Sequence, residues 1–339
     1  MKPIIAVTMG DPGGIGPEII LKSLQELSFG KAIYMVIGSE EVFQYASEHL
    51  SIPFRPHVIP TLEHSFLDEN QVNLLDITRE AEALYEKAFH KAHSKDEVFS
   101  VGQISRWNAA LSYSVLKVAA YQAACELIQG VVTAPIQKSA IRLVDSKFSG
   151  HTEYLAKIAR VKEFAMMFVS HLLRVTLVTI HLSLKKVPRA LKTEEIVTKV
   201  LLTSEFLKRQ LKIKAPKIGV AALNPHGSEF GMEEEEIILP AVQLAQKKGI
   251  DVRGPLPGDQ IFHDAYEGKL DAVVAMYHDQ GLAPFKMIAF REGVNVTLGL
   301  PYLRTSPDHG TAFDIAYQNK AFPTAFINSL KLVETALVG

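Results

Sequence analysis

Short runs of aliphatic and β-branched residues alternate along the chain with longer stretches whose apolar positions recur at three- and four-residue spacing. That alternation is the signature of an α/β protein with a largely parallel sheet. Strands are predicted over Ile4–Met9, Ala32–Ile37, Gly130–Thr133, Val175–Ile180, Lys217–Ala222 and Ala272–Met276. Among the intervening helices, Ser105 is placed to cap one that gathers Trp107, Ala110, Leu111, Val115, Val118 and Ala119 on a core face, leaving Arg106 and Lys117 elsewhere. The acidic run Glu233–Glu236 precedes Ile237, Ile238 and Leu239, and Lys247, Lys248 and Gly249 follow. Acids first, bases last and a closing glycine suit a helix macrodipole, with Pro240 implying a kink or restart. A metal-binding acidic cluster is the other reading of that run. No internal repeat, low-complexity tract or flexible linker interrupts the pattern.

A length of 339 residues favours two packed lobes, expected over residues 1–135 plus 300–339 and over residues 136–299. An apolar fraction of 47% with 22% charged residues excludes a disordered or fibrous chain. The formal charge of −1 supplies no global field toward nucleic acid or an anionic membrane, so any anion must be held by a local site. A single cysteine, Cys125, excludes an internal disulfide framework and any cysteine-based zinc motif, which fits a reducing compartment. A metal, if used, must be held by histidines and carboxylates. The first apolar run is too short for a secretory core, and no stretch approaches the ~20 apolar residues a bilayer span needs. A cytoplasmic address is the expectation.

In α/β sheets ligands bind beyond the carboxyl ends of the strands, so the residues after each strand carry the chemistry. The first strand runs into Gly10-Asp11-Pro12-Gly13-Gly14-Ile15-Gly16-Pro17-Glu18, a turn expected to expose backbone N–H groups. It matches neither the dinucleotide fingerprint nor a P-loop, and glycines equally serve tight turns. The strand at Gly130–Thr133 leads through Lys138 to Ser149-Gly150-His151-Thr152-Glu153, where an imidazole and a hydroxyl at a helix start make a phosphate seat or a simple cap. Three further strands run into His181, into Asn224-Pro225-His226 and into Tyr277-His278-Asp279. Three imidazoles on one rim would leave a divalent ion open positions for substrate, with zinc favoured and cobalt, nickel or manganese able to substitute. Asp279 and Asp259 are candidates for orienting a ligand or moving a proton, or else ordinary loop residues. Lys286, Asn295 and Arg304 suit a phosphate and a carboxylate, and Asp308–Ala316 forms a loop able to hold an anion or nucleotide.

Taken together, Met9–Glu18, Gly150–Glu153, Leu223–His226, Gly254–Asp259, Tyr277–Gly281 and Asp308–Ala316 resemble the 4-phosphohydroxy-L-threonine dehydrogenase family over nearly the whole chain. Ser149 and Gln137 are small departures from its pattern. The resemblance implies a two-lobed fold similar to isocitrate and isopropylmalate dehydrogenases, with an interlobe cleft and a homodimer whose partner completes the site. It implies metal ligands at His181, His226 and His278, one of them from the neighbouring subunit, for a zinc, magnesium, manganese, cobalt or nickel ion. Substrate contacts are implied at His151, Thr152, Lys286, Asn295 and Arg304. The segment holding His309, Gly310, Thr311 and Asp314 is similar to the cofactor-adenosine loop of the decarboxylating relatives.

The implied reaction is NAD- or NADP-linked oxidation of a small phosphorylated hydroxy-amino acid, followed by loss of CO2, in pyridoxine biosynthesis. Asp259 and Asp279 are the candidate proton acceptors. Similar paralogues act on D-threonate or D-erythronate 4-phosphate. A non-catalytic anion-binding protein and a metal-dependent phosphatase are readings from other classes.

Overall fold

The buried strands β1 (Ile4–Thr8) and β2 (Ile33–Gly38) consist almost wholly of apolar residues, as parallel strands covered on both faces require. They belong to a computed structural model that describes residues 2–27, 29–92 and 99–339. The chain divides into one unit of Met1–Val161 with Leu300–Gly339 and another of Lys162–Gly299.

In the first unit, β1 is followed by α1 (Gly16–Leu24), β2 by α2 (Glu40–Leu50), and β3 (His57–Ile59) and β4 (Asn73–Asp76) by α3 (Thr78–Phe89). Then come α4 (Arg106–Ala124), β5 (Gly130–Thr133), α5 (Lys138–Ile141) and α6 (His151–Ile158). After the second unit the chain returns as β12 (Leu303–Pro307) and α12 (Thr324–Val338). The strand order is β3-β4-β2-β1-β5-β12, with every pair parallel. Ser105 does cap α4, its hydroxyl accepting the Asn108 N–H at 3.0 Å. The helix is buried more widely than one face, because Asn108, Ser112, Leu116, Ala120 and Ala123 are covered as well. Leu116 and Ala120 pack with Ile141, Phe148 and Leu155, which anchors α5 and α6 in this unit.

The second unit holds β6 (Ala165–Val169), β7 (Arg174–Leu177), α7 (Val187–Ala190), α8 (Thr193–Arg209) and β8 (Ile218–Ala221). It continues with α9 (Leu239–Lys247), β9 (Val252–Leu256), α10 (Gly258–Tyr266), β10 (Ala272–Ala275), α11 (His278–Ala289) and β11 (Val294–Leu298). The order is β11-β6-β7-β10-β8-β9, antiparallel at both sides of β6 and parallel from β7 to β9. Val175, Leu177, Val273 and Ala275 of the sheet pack against Ile261, Leu282 and Phe285. Truncating the fully buried Phe285 to alanine would cost roughly 3–5 kcal/mol.

Six of the twelve strands, β3, β4, β6, β9, β11 and β12, lie outside the predicted set. β9 contains Gly254-Pro255, which reads as a breaker, yet the strand lies at a sheet edge where a missing N–H is tolerated. β12 reads Leu-Arg-Thr-Ser-Pro and is buried throughout, with Arg304 donating to Thr133 and the Thr305 hydroxyl to Ser329 O, tertiary partners that local sequence does not show. The acidic run shows the restart expected at Pro240 and adds a feature not expected. It enters a π-helical turn, Glu234–Ile238, before α9 restarts with Pro240 in its first turn. Proline lacks the N–H that an α-helix would direct at the Glu236 carbonyl, so a widened turn there is the local response. Glu235 and Glu236 face solvent as a macrodipole complement would, whereas Glu234 is fully buried.

Candidate active site

Because β1, β5 and β12 run parallel, the segments that follow them share one edge of the first unit. The glycine-rich turn after β1 is spoken for by protein. Asp11 N–H donates to Pro135 O (2.9 Å), Gly13 N–H to Asp11 Oδ1 (3.0 Å), Gly14 N–H to Asp11 O (3.1 Å) and Ile15 N–H to Thr311 O (2.9 Å). The expected set of exposed N–H donors is therefore corrected, since all four are consumed by protein acceptors, the last of them, from Ile15, bracing the Asp308–Ala316 loop. Glycine is required at position 14 by close approach, because a Cβ there would lie 2.8 Å from Thr311 O. Tyr317 adds a hydrogen bond from its hydroxyl to Pro12 O at 2.8 Å. Asp11 is wholly buried, and desolvation pushes its carboxyl up to about 6 against the bond from Gly13. Thr311 is buried in this arrangement, while His309, Gly310 and Asp314 are exposed.

Beside that turn stands a buried cationic group. Arg304, on β12, is only 2% exposed and donates from Nη2 to Thr133 Oγ1 at 2.6 Å. Burial draws its guanidinium down to about 10, opposed by Tyr302 and Glu153. His151, the first residue of α6, has a buried Nε2 without a hydrogen-bond partner. Desolvation, then the charges of Arg304 and Lys138, hold its imidazole well below the usual histidine range, so it is neutral at pH 7. Lys138 Nζ lies beside Gly150 at the head of the same helix, and Thr152 is buried one residue on. Two cations and an imidazole with a buried, unengaged nitrogen have the chemistry to hold a multiply charged anion. Thr133 and Lys138 were not singled out as ligands from the sequence. The signal for Lys138 was its place in the segment after a parallel strand.

The histidine rim belongs to the second unit. β7, β10 and β8 are adjacent and parallel, so His181, His278 and His226 all follow the carboxyl ends of neighbouring strands. The edge is extended by Val178 N–H to Ala275 O (2.8 Å) and Thr179 N–H to Met276 O (3.2 Å), which carry the chain toward His181. Gln280 links two strand ends, its Oε1 accepting Met276 N–H at 2.7 Å and its Nε2 donating to Ala222 O at 2.6 Å. Gly281 lets α11 lie close on the sheet, for a Cβ there would meet Leu177 Cδ2 at 2.7 Å and Val175 Cγ1 at 2.8 Å. The head of α11 thereby brings the His278 ring to 6.2 Å from that of His181.

His278 Nδ1 lies 2.6 Å from Asp279 Oδ1, a pairing that orients the ring and leaves Nε2 as its outward nitrogen. Two imidazoles, one carboxylate-oriented, are donors of the right kind for a borderline divalent ion. His226 stands apart. Its backbone is left-handed (φ 56°), and its ring packs 6.1 Å from exposed Phe230. Among the described residues no group of three histidine, cysteine or acidic side chains is arranged to hold a metal. Asp259 is exposed in the first turn of α10, and Lys286 Nζ lies 5.9 Å from the centre of the Phe290 ring. Asn295, on β11, has a buried Oδ1 without a partner. The structure thus joins His151, Thr152 and Arg304 in one place and His181, His278 and Asp279 in another.

These features define an α/β protein with mostly parallel strands. Comparison with known proteins makes the class specific. The chain belongs to the family described as pyridoxal phosphate biosynthetic protein PdxA, whose profile matches residues 31–333. A 4-hydroxythreonine-4-phosphate dehydrogenase of Desulforapulum autotrophicum is 42% identical, covering 98% of this chain and 94% of its own. A D-threonate 4-phosphate dehydrogenase of Pectobacterium atrosepticum is 38% identical, covering 98% of each. The crystal structure of a 4-hydroxythreonine-4-phosphate dehydrogenase from Klebsiella pneumoniae superposes with a TM-score of 0.81 at 35% identity, covering 98% of both chains. None of the described helices is long and apolar enough to cross a membrane.

Proposed function

We propose that this chain oxidises 4-phosphohydroxy-L-threonine at its C3 hydroxyl with NAD or NADP, in pyridoxal phosphate biosynthesis. The observation that carries the reading is the buried Arg304 with His151 and its unengaged Nε2, in a chain whose relatives are named for phosphorylated hydroxy acids. Arg304, His151 and Thr152 hold the phosphate, and Lys138 adds charge to that seat. Lys286 and Asn295 bind the rest of the substrate, so that C3 is presented for transfer of its hydride to the nicotinamide. His309, Gly310, Thr311 and Asp314 hold the cofactor on the loop that the glycine-rich turn braces. The hydroxyl proton goes to Asp259 or Asp279. The 3-oxo acid then loses CO2 to give 3-amino-2-oxopropyl phosphate.

His181, His278 and His226 are the proposed holders of one divalent ion, zinc above magnesium, manganese, cobalt or nickel. The oriented pair supports this. When bound, such an ion supplies Lewis acidity that stabilises negative charge on the C3 oxygen during oxidation and decarboxylation. The exposed position of His226 supports a homodimer in which one subunit's histidine serves the other's site.

A second reading, D-threonate 4-phosphate as substrate, is favoured by the Pectobacterium relative, at 38% against 42% identity. The deciding experiment strips the protein with a chelator, restores divalent ions one at a time, and follows nicotinamide reduction with each substrate and each cofactor. A metal-restored preference for 4-phosphohydroxy-L-threonine is expected. A preference for the sugar acid would transfer the assignment, and reduction with neither would end it.

A further inference from the structure

Glu234 is the one fully buried member of the acidic run, and its carboxylate accepts hydrogen bonds from a single loop. Its Oε1 accepts the N–H groups of Leu223 and Asn224 at 2.8 Å each, and its Oε2 accepts Asn224 Nδ2 at 2.9 Å. The same amide donates to Glu233 Oε2 at 3.0 Å. Upstream, Ala222 is fixed by its own N–H to Leu256 O at 2.7 Å and by Gln280 at its carbonyl. Immediately downstream the chain turns sharply through left-handed His226 and Gly227, with φ of 56° and 75°, and the histidine is exposed.

An exposed side chain beyond such a turn has little packing of its own to define its position. Its placement is inherited from the last anchored residues, here 222 to 224. Burying a carboxylate is costly, and three charge-assisted bonds are what offsets it; removing them would orphan two backbone donors. The π-helical turn supplies the inward direction, since Glu235 and Glu236 beside it face solvent.

We infer that Glu234 is a positioning residue for His226: its carboxylate fixes the loop after β8 and thereby sets where that imidazole is delivered as a metal ligand. The inference rests on the divalent-ion reading of the rim and deepens it.

The test measures cobalt or zinc affinity of the full-length, metal-stripped protein by chelator competition, for the wild type, Glu234→Gln, His226→Ala and the double variant. Glutamine keeps the volume and one acceptor oxygen but turns an N–H2 group toward the Asn224 amide. A drop of roughly 10–100-fold in affinity is expected for Glu234→Gln, with no further loss when it is added to His226→Ala. A purely structural role would lower the melting temperature and leave the affinity of the folded protein unchanged. Wild-type affinity in Glu234→Gln, or a loss that adds to that of His226→Ala, overturns the inference. If Glu234→Gln does not fold, Asn224→Ala removes one part of the same network, and it too must weaken the ion or the inference falls. A wild-type protein that binds neither ion stoichiometrically defeats the metal reading and this inference together, whereas wild-type binding with an indifferent Glu234→Gln defeats this inference alone.

Discussion

The first unit's Arg304 cluster and the second unit's histidine rim are built on opposite principles. Arg304 is 2% exposed and locked to Thr133 before any ligand arrives, whereas the His278 side chain is 42% exposed and its partner Asp279 is 86% exposed. Holding a guanidinium out of water is expensive, and burial draws its proton affinity down, so the fold bears a standing cost at Arg304. The rim bears no such cost. Its imidazoles sit in water on strand-end loops, with only the pair at His181 and His278 drawn together. The buried guanidinium is held in place by the fold, whereas the histidines of the rim are left accessible.

That contrast predicts a separation of activity from stability. The largest effect is expected for His278→Ala, which should lower kcat by roughly a thousandfold or more, since a divalent ion's charge stabilisation is worth several kcal/mol. Its melting temperature without metal should stay within a few degrees of wild type; a large fall in a calorimetric scan would mean that the rim is structural after all. Arg304→Met should reverse the pattern. Loss of a buried charged contact to substrate costs about 3–4 kcal/mol in kcat/KM, while the unliganded protein keeps or gains thermal stability because a desolvated charge is gone. Steady-state kinetics and a melting curve on the same preparation check both halves.

Asp11 sharpens the comparison from the preformed side. Its folded value, about 6, lies above the ordinary 3.8, so its contribution to stability is fully present below pH 3.8 and is lost as pH rises through 6. A shift of that size corresponds to at most about 3 kcal/mol, so Asp11→Asn should flatten the pH dependence of urea unfolding between pH 4 and about 7 by up to that amount. An unchanged slope would show that the carboxyl is not isolated from solvent. The smallest effect falls on the open side. Asp279→Asn removes the carboxylate that orients His278 and should weaken zinc roughly tenfold, with no change in melting temperature, as read by chelator competition.

The α4 cap at Ser105 and the strands at Ile4, Gly130 and Ala272 were legible from periodicity, because a helix stripe and a buried parallel strand are local patterns. The family was legible as well, from motifs that repeat in order across the chain. β9 and β12 were not, since one carries an edge proline and the other a buried arginine that only tertiary partners explain. The glycine-rich turn was misjudged for the same reason. Its donors look free until Thr311 and Pro135 are placed against them.

By itself, then, the amino-acid order determined which residue types stand after which strands, because strand direction and loop position follow from local pattern. Only the tertiary structure decided that the buried Arg304 acts on the His151 imidazole, that His181 meets His278 while His226 does not, and that Glu234 turns inward. Burial, electrostatic shift and ring-to-ring distance are properties of packing between segments far apart in the chain, and no local pattern encodes them.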